Sequence, residues 1–341
     1  MKKWLSLMLL AVMLFSVAAC STGNGTSTQE NTEPAEKQLK DVSIMLDWYP
    51  NALHTFLYVA KEKGFFAEEG VNLEIQYPAN PTDPLNLAAA GKVTLGLYYQ
   101  PDVIIARANE NIPVKSVASI VRAPLNHIVF MENSPIKNPR DLEGKTVGYP
   151  GIALNESLLK TMVKNDGGDP SKVELVDVGF DLGASIVAEK VDAVIGAFIN
   201  HEVPVLKQKG YDTRNFNPVD YGVPSYSEVV LVTSDETLEN QKEDIEAFWR
   251  AAVKGYEFTK ANPEEALQIL LTNQDEANFP LEPEVEKESL NILLSMMETD
   301  QEKFGSQTKE SWQEVTNWLK DYGLVTSDPN IEEMFSTLNN E

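Results

Sequence analysis

Between Ile44 and Ile75 the chain reads as a strand, a loop rich in polar and aromatic side chains, an amphipathic helix and a second strand. The apolar run Ile44–Leu46 fits a strand buried on both faces of a parallel sheet. A helix crossing between two parallel strands must pack back onto their sheet, so this one segment restricts the fold to the α/β class. In open α/β sheets ligands bind at the carboxyl ends of the strands. Asp47, Trp48, Asn51 and His54 fall at and just after such an end, which predicts a small-molecule site.

The alternation continues along the chain. Asn51 is placed to cap a helix carrying Leu53, Leu57 and Ala60 on one face, and Gly64 closes it. Strands are expected at Val71–Tyr77, Val93–Tyr98 and Val114–Val121, with helices from Leu85 and over Asp102–Asn109. After Glu132-Asn133-Ser134-Pro135 a second α/β unit is expected, with strands at Thr146–Tyr149, Val173–Val178 and Ala193–Phe198. Gly91–Tyr99 (GKVTLGLYY) and Glu189–Phe198 (EKVDAVIGAF) echo one another: helix end, Lys-Val, buried strand, aromatic. Two related halves with aromatic strand ends predict a cleft between two lobes. From Asp235 the pattern turns helical, with Ile245, Phe248, Ala252 and Tyr256 on one stripe. Met296, Met297, Trp312 and Trp318 lie at helical spacing and read as core. The expected lobes are residues 39–131 with 230–341, and residues 132–229. Crossings near Phe130–Ser134 and Ser227–Val232 would form a hinge.

The N-terminus has a different logic. Lys2 and Lys3 precede the apolar run Leu5–Val17, which ends at Ala18-Ala19-Cys20. A charged start, a short apolar stretch and small residues before a cleavage point predict a signal peptide over residues 1–19. Cys20 is the chain's lone cysteine, so no intrachain disulfide can form. Its position resembles a bacterial lipobox, and lipid on Cys20 would anchor the protein at a membrane surface. Residues 21–38 hold no large apolar side chain and read as a flexible tether.

Several chemistries lack their residues. A formal charge of −24 argues against nucleic acid as a partner. The three histidines, His54, His127 and His201, have no helical metal spacing, and no metal or cofactor is expected. No GxSxG, GxGxxG or Walker sequence occurs. What remains is a binding set. Trp48, Tyr98 and Phe198 fall at strand ends, where a flat ring can be held between aromatic faces. Asn51 and Asn155 sit at helix starts, and Asp47 and Glu202 can accept from amino groups. Tyr226, in the loop Asp220–Glu228, is placed to close over the mouth. Capping or core packing is the plainer reading for Asn155, Asp47 and Tyr221 taken singly. His127 reads as structural, and His54 as either cleft or cap.

LDWYPNALH (Leu46–His54), GFFAEEG, AAGKVTLGL and DLEGKTVGY together resemble the substrate-binding proteins related to the fungal thiamine-pyrimidine synthases, over roughly residues 42 to 260. The resemblance implies a type II periplasmic-binding fold with two lobes, two hinge crossings and a ligand cleft. It implies a monomeric lipoprotein on the outer face of the bacterial cytoplasmic membrane, delivering a ligand to an ABC permease. The implied ligand is a thiamine-precursor pyrimidine, N-formyl-4-amino-5-aminomethyl-2-methylpyrimidine, with riboflavin, a sulfonate or a polyamine as alternatives. The fungal enzymes hold PLP on a lysine, and that position here matches Tyr98. Their sacrificial histidine matches Asp102, and their cysteine-rich run matches the cysteine-free Gly222–Glu228. A binding protein is therefore expected rather than a synthase.

Overall fold

The computed structural model describes residues 39–338. The expected signal segment, Cys20 and the tether fall on residues 1–38 and lie outside the described residues. The first strand, β1 (Lys40–Met45), buries Val42 and Ile44. Asn51 then caps one 3-10 turn, Ala52–His54, which runs directly into α1 (Thr55–Glu62). Gly64 ends that helix at φ 76°, a left-handed conformation open to glycine, and α2 (Phe65–Glu69) follows. Next come β2 (Val71–Gln76), α3 (Asp83–Ala89), β3 (Leu95–Tyr98), α4 (Gln100–Glu110) and β4 (Val114–Val121). β1 lies parallel to both β2 and β3, as the opening segment requires.

The chain then enters a second sheet through β5 (Asn126–Met131). It continues through β6 (Thr146–Tyr149), α5 (Ala153–Asn165), β7 (Glu174–Asp177), α6 (Leu182–Val187), β8 (Ala193–Phe198), α7 (Glu202–Gln208) and β9 (Thr213–Phe216). Finally β10 (Val229–Ser234) returns to the first sheet, antiparallel between β3 and β4. The sheet orders are β2-β1-β3-β10-β4 and β7-β6-β8-β5-β9, the same plan twice. β3 and β8, which carry the sequence echo, each occupy the third place.

This topology corrects the expected crossings. β5 belongs to the second lobe, so the first crossing is residues 122–125 rather than Phe130–Ser134. Residues 126–131 leave the first lobe with it. An apolar strand looks alike in either sheet; pairing with β8 on one side and β9 on the other decides its lobe. The return spans residues 217–228, and β10 is already under way over most of the expected Ser227–Val232.

After β10 the chain forms α8 (Asp235–Asn240), α9 (Lys242–Ala261), α10 (Pro263–Thr272), α11 (Pro283–Leu294), α12 (Lys309–Asp321) and α13 (Ile331–Met334). Gly255 allows α9 to lie close on α1, because a Cβ there would collide with the Phe56 carbonyl oxygen. The Phe304 ring stacks on Tyr256 at 4.0 Å and on Trp249 at 5.3 Å. Met297, Trp312 and Trp318 are buried, as their spacing predicts. Trp318 also donates its indole N–H to Thr161 Oγ1 on α5 (3.0 Å), tying α12 to the second lobe. Among the described residues no helix is long and apolar enough to cross a membrane.

Candidate ligand cleft

The loop after β1 is set by its own hydrogen bonds. Asn51 Oδ1 accepts from the Leu53 amide (2.9 Å), and the Asn51 amide donates to His54 Nδ1 (3.1 Å). With Nδ1 accepting, the ring proton lies on Nε2, which donates to Asp47 Oδ1 at 2.8 Å. His54 is fully buried, so it braces Asp47 and the helix start instead of facing a ligand.

Asp47, Trp48, Asn51 and Leu53 from this loop, with Tyr99, form one wall of a narrow cleft. The other wall comes from the second lobe: Gly196, Phe198, Asn200, His201 and Glu202. The Tyr99 and Phe198 rings meet edge to face across it, 6.2 Å between centroids. Trp48 packs edge-on against Phe180 at 4.5 Å. Glu202, in the first turn of α7, accepts the Phe198 amide on Oε2 (2.8 Å) and faces His201 Nδ1 with Oε1 (3.1 Å). That amide bond fixes the end of β8 against the start of α7.

α11 bridges the two walls. Glu286 Oε2 accepts the Ala52 amide (2.7 Å), and Ser289 Oγ accepts from Asn200 Nδ2 (2.9 Å). Glu286 Oε1 lies 3.8 Å from His201 Nε2. Burial alone would lower the His201 pKa, but Glu202 and Glu286 outweigh it and raise the imidazole to about 9. His201 is therefore a cation at neutral pH, held between two carboxylates.

Behind the cleft, two carboxyls are buried near the hinge. Glu228 Oε2 accepts the amides of Leu125 (2.7 Å) and Asn126 (2.9 Å) and the Tyr226 hydroxyl (3.0 Å). One side chain thus joins the two crossings. Asp102 Oδ1 accepts the Leu154 amide (3.1 Å), joining α4 to α5. Burial pushes Asp102 up to about 8 and Glu228 to about 7.

Five predicted residues come together in the cleft: Asp47, Trp48, Asn51, Phe198 and Glu202. Four do not line it. Tyr98 pairs with Val230 inside the first sheet and is buried, while Tyr99, one residue past the strand, faces Phe198. Side chains alternate between the faces of a strand, so a slip of one residue exchanges wall for core. Tyr226 is no lid: it is 1% exposed, bonded to Glu228 and parallel to Trp318 at 6.5 Å. His54 is a brace, and Asn155 lies just beneath the lining. His127 is buried and pairs with Asn215 (2.8 Å), in keeping with a structural role. Sequence reasoning missed Leu53, Tyr99, Gly196, Asn200 and His201. For Tyr99 the signal was present in the Tyr98-Tyr99 pair; for His201 it was not, since its partner Glu286 is far along the chain. Among the described residues no group of His, Cys, Asp and Glu is arranged to hold a metal ion.

Two lobes of matching strand order, joined by two crossings beside a cleft, define a periplasmic-binding-protein fold. The periplasmic aliphatic sulphonate binding protein SsuA of Escherichia coli shares it, with a TM-score of 0.64 at 16% identity over 86% of this chain and 97% of that one. A family model described as "NMT1/THI5 like" matches residues 51–266, and the chain belongs to this family. It is similar to the formylaminopyrimidine-binding protein of Halalkalibacterium halodurans, 54% identical over 338 residues and 99% of each chain. It is also similar to a 4-amino-5-hydroxymethyl-2-methylpyrimidine phosphate synthase of Saccharomyces cerevisiae, 27% identical over 70% of this chain and 73% of that one.

Proposed function

We propose that this protein is the extracytoplasmic capture component of an ABC importer whose ligand is N-formyl-4-amino-5-aminomethyl-2-methylpyrimidine. One observation carries the reading: Trp48 and Tyr99 on one lobe and Phe198 on the other border a narrow cleft edged by Asp47 and Glu202. Aromatic faces hold a flat ring, and carboxylates accept from its amino groups. The 54% identical formylaminopyrimidine-binding relative supports this ring over other flat ligands.

Capture follows from the two-lobed plan. A ligand touching both walls gains its full set of contacts only when the lobes are together, so binding favours the closed state. The crossings at residues 122–125 and 217–228 are the hinge, and the permease reads the closed form. Lipid on Cys20 and the tether of residues 21–38 would hold the monomer near its permease.

Capture without turnover fits the residues present. Tyr98, at the position matching the synthase lysine, is a buried phenol paired within the sheet and offers no Schiff-base amine. Asp102 replaces the sacrificial histidine, and its carboxyl is engaged by the Leu154 amide.

Thermal melting of the purified protein with candidate ligands tests the reading. The formylaminopyrimidine should raise the melting temperature in a concentration-dependent way, by about 2.7 kcal/mol of stability at a hundred times Kd. Stabilisation by an alkanesulfonate, riboflavin or a polyamine, with none by the pyrimidine, would overturn it.

A further inference from the structure

We propose that the Asn155 carboxamide, lying under Gly196 at the inner side of the cleft, pairs edge-on with the amino group and adjacent ring nitrogen of the captured pyrimidine. This rests on the aminopyrimidine reading above and assigns the residue that recognises the ring.

Asn155 is 1% exposed, yet neither Nδ2 nor Oδ1 has a hydrogen-bond partner among the described residues. Buried amides are nearly always paired, so an orphaned one calls for a partner, and beside a cleft a ligand can be that partner. Its backbone is already served, because the Asn155 amide donates to the Ile152 carbonyl (3.1 Å). The neighbouring Leu154 amide is held by Asp102, which fixes the first turn of α5 against α4. Only the side chain is unoccupied.

Gly196 links the amide to the cleft lining. It lines the cleft, and a Cβ there would lie 3.0 Å from Asn155 Nδ2 and 2.7 Å from Pro150 Cδ. A side chain there would press on the amide. The Gly196 amide is itself anchored by Asn126 Oδ1 at 2.8 Å, so this floor is fixed to β5. Asp102 Oδ2 and Glu228 Oε1, buried carboxyl oxygens of the adjoining hinge, also lack partners among the described residues. Unmet polar groups from both lobes thus lie buried behind the lining.

The chemistry is complementary. A carboxamide presents one acceptor oxygen beside an N–H donor. A 4-aminopyrimidine edge presents an N–H donor beside a ring-nitrogen acceptor, the pattern that asparagine meets on adenine. Two parallel hydrogen bonds would set the ring's orientation between the aromatic walls.

Calorimetric titration of the purified protein with the formylaminopyrimidine and with its analogue lacking the 4-amino group separates the possibilities. Wild type should prefer the aminated ligand by about tenfold. Asn155→Leu should bind the two alike and, having lost no internal bond, should melt no lower than wild type in the absence of ligand. Asn155→Ala serves as a second variant should leucine prevent folding. A variant that keeps the wild-type preference overturns this inference and leaves the proposed function standing. Failure of wild type to bind either pyrimidine overturns the proposed function itself.

Discussion

His201 Nε2 and Glu286 Oε1 stand 3.8 Å apart and join the second lobe to α11, a helix that also holds the Ala52 amide of the first lobe. The same Glu286 therefore touches both sides of the cleft. With Asn200 bonded to Ser289, it makes α11 a bridge between the two lobes.

The pair predicts a dependence on alkaline pH. His201 is raised from its ordinary range to about 9, so its contribution is complete below about pH 6.5 and is lost as pH rises through 9. Glu286→Gln can still accept the Ala52 amide while removing the charge. Wild type should lose on the order of 1 kcal/mol more than this variant between pH 6.5 and 9.5, read by urea denaturation. Equal losses would mean that the pair contributes nothing to stability.

Tyr99 and Tyr98 offer a paired test of which tyrosine faces the ligand. Tyr99→Ala and Trp48→Ala should each weaken pyrimidine binding by about tenfold or more, through loss of a stacking or edge contact. Tyr98→Phe should leave affinity within about twofold, since its ring is buried and absent from the lining. Titration calorimetry on the three variants checks this, and the reverse ranking would move the aromatic wall to Tyr98.

Asp102 predicts a second pH effect. Its folded carboxyl is neutral up to about 8, whereas in the unfolded chain it ionises near 4. The folded state then binds the extra proton, so stability falls as pH rises from about 4 towards 8. Asn at this position keeps an oxygen for the Leu154 amide and removes the titration. Asp102→Asn should gain on the order of 2 kcal/mol over wild type at pH 9, a gain that shrinks at pH 4. Melting curves at the two pH values read it directly; a gain independent of pH would contradict the buried neutral acid.

Local periodicity carried much of the fold. The β1–α1–β2 segment, the Asn51 cap, the echo between β3 and β8 and the helical C-terminal region depend on neighbours a few residues apart, and such spacing is visible in sequence. Trp48 and Phe198 were legible as strand-end aromatics for the same reason. The lobe of β5 was not, because its apolar residues are buried equally well in either sheet.

By itself, then, the sequence determined the α/β alternation, two related halves and strand ends whose Asp47, Trp48 and Asn51 line the candidate cleft. The tertiary structure decided that Tyr99 rather than Tyr98 forms the wall and that Tyr226 is core beside Glu228. It also decided that Glu286 reaches His201 and that the buried Asn155 amide lies against Gly196 with no hydrogen-bond partner among the described residues. These are relations across strand faces, lobes and long stretches of chain, and they are set by packing, which no short-range pattern encodes.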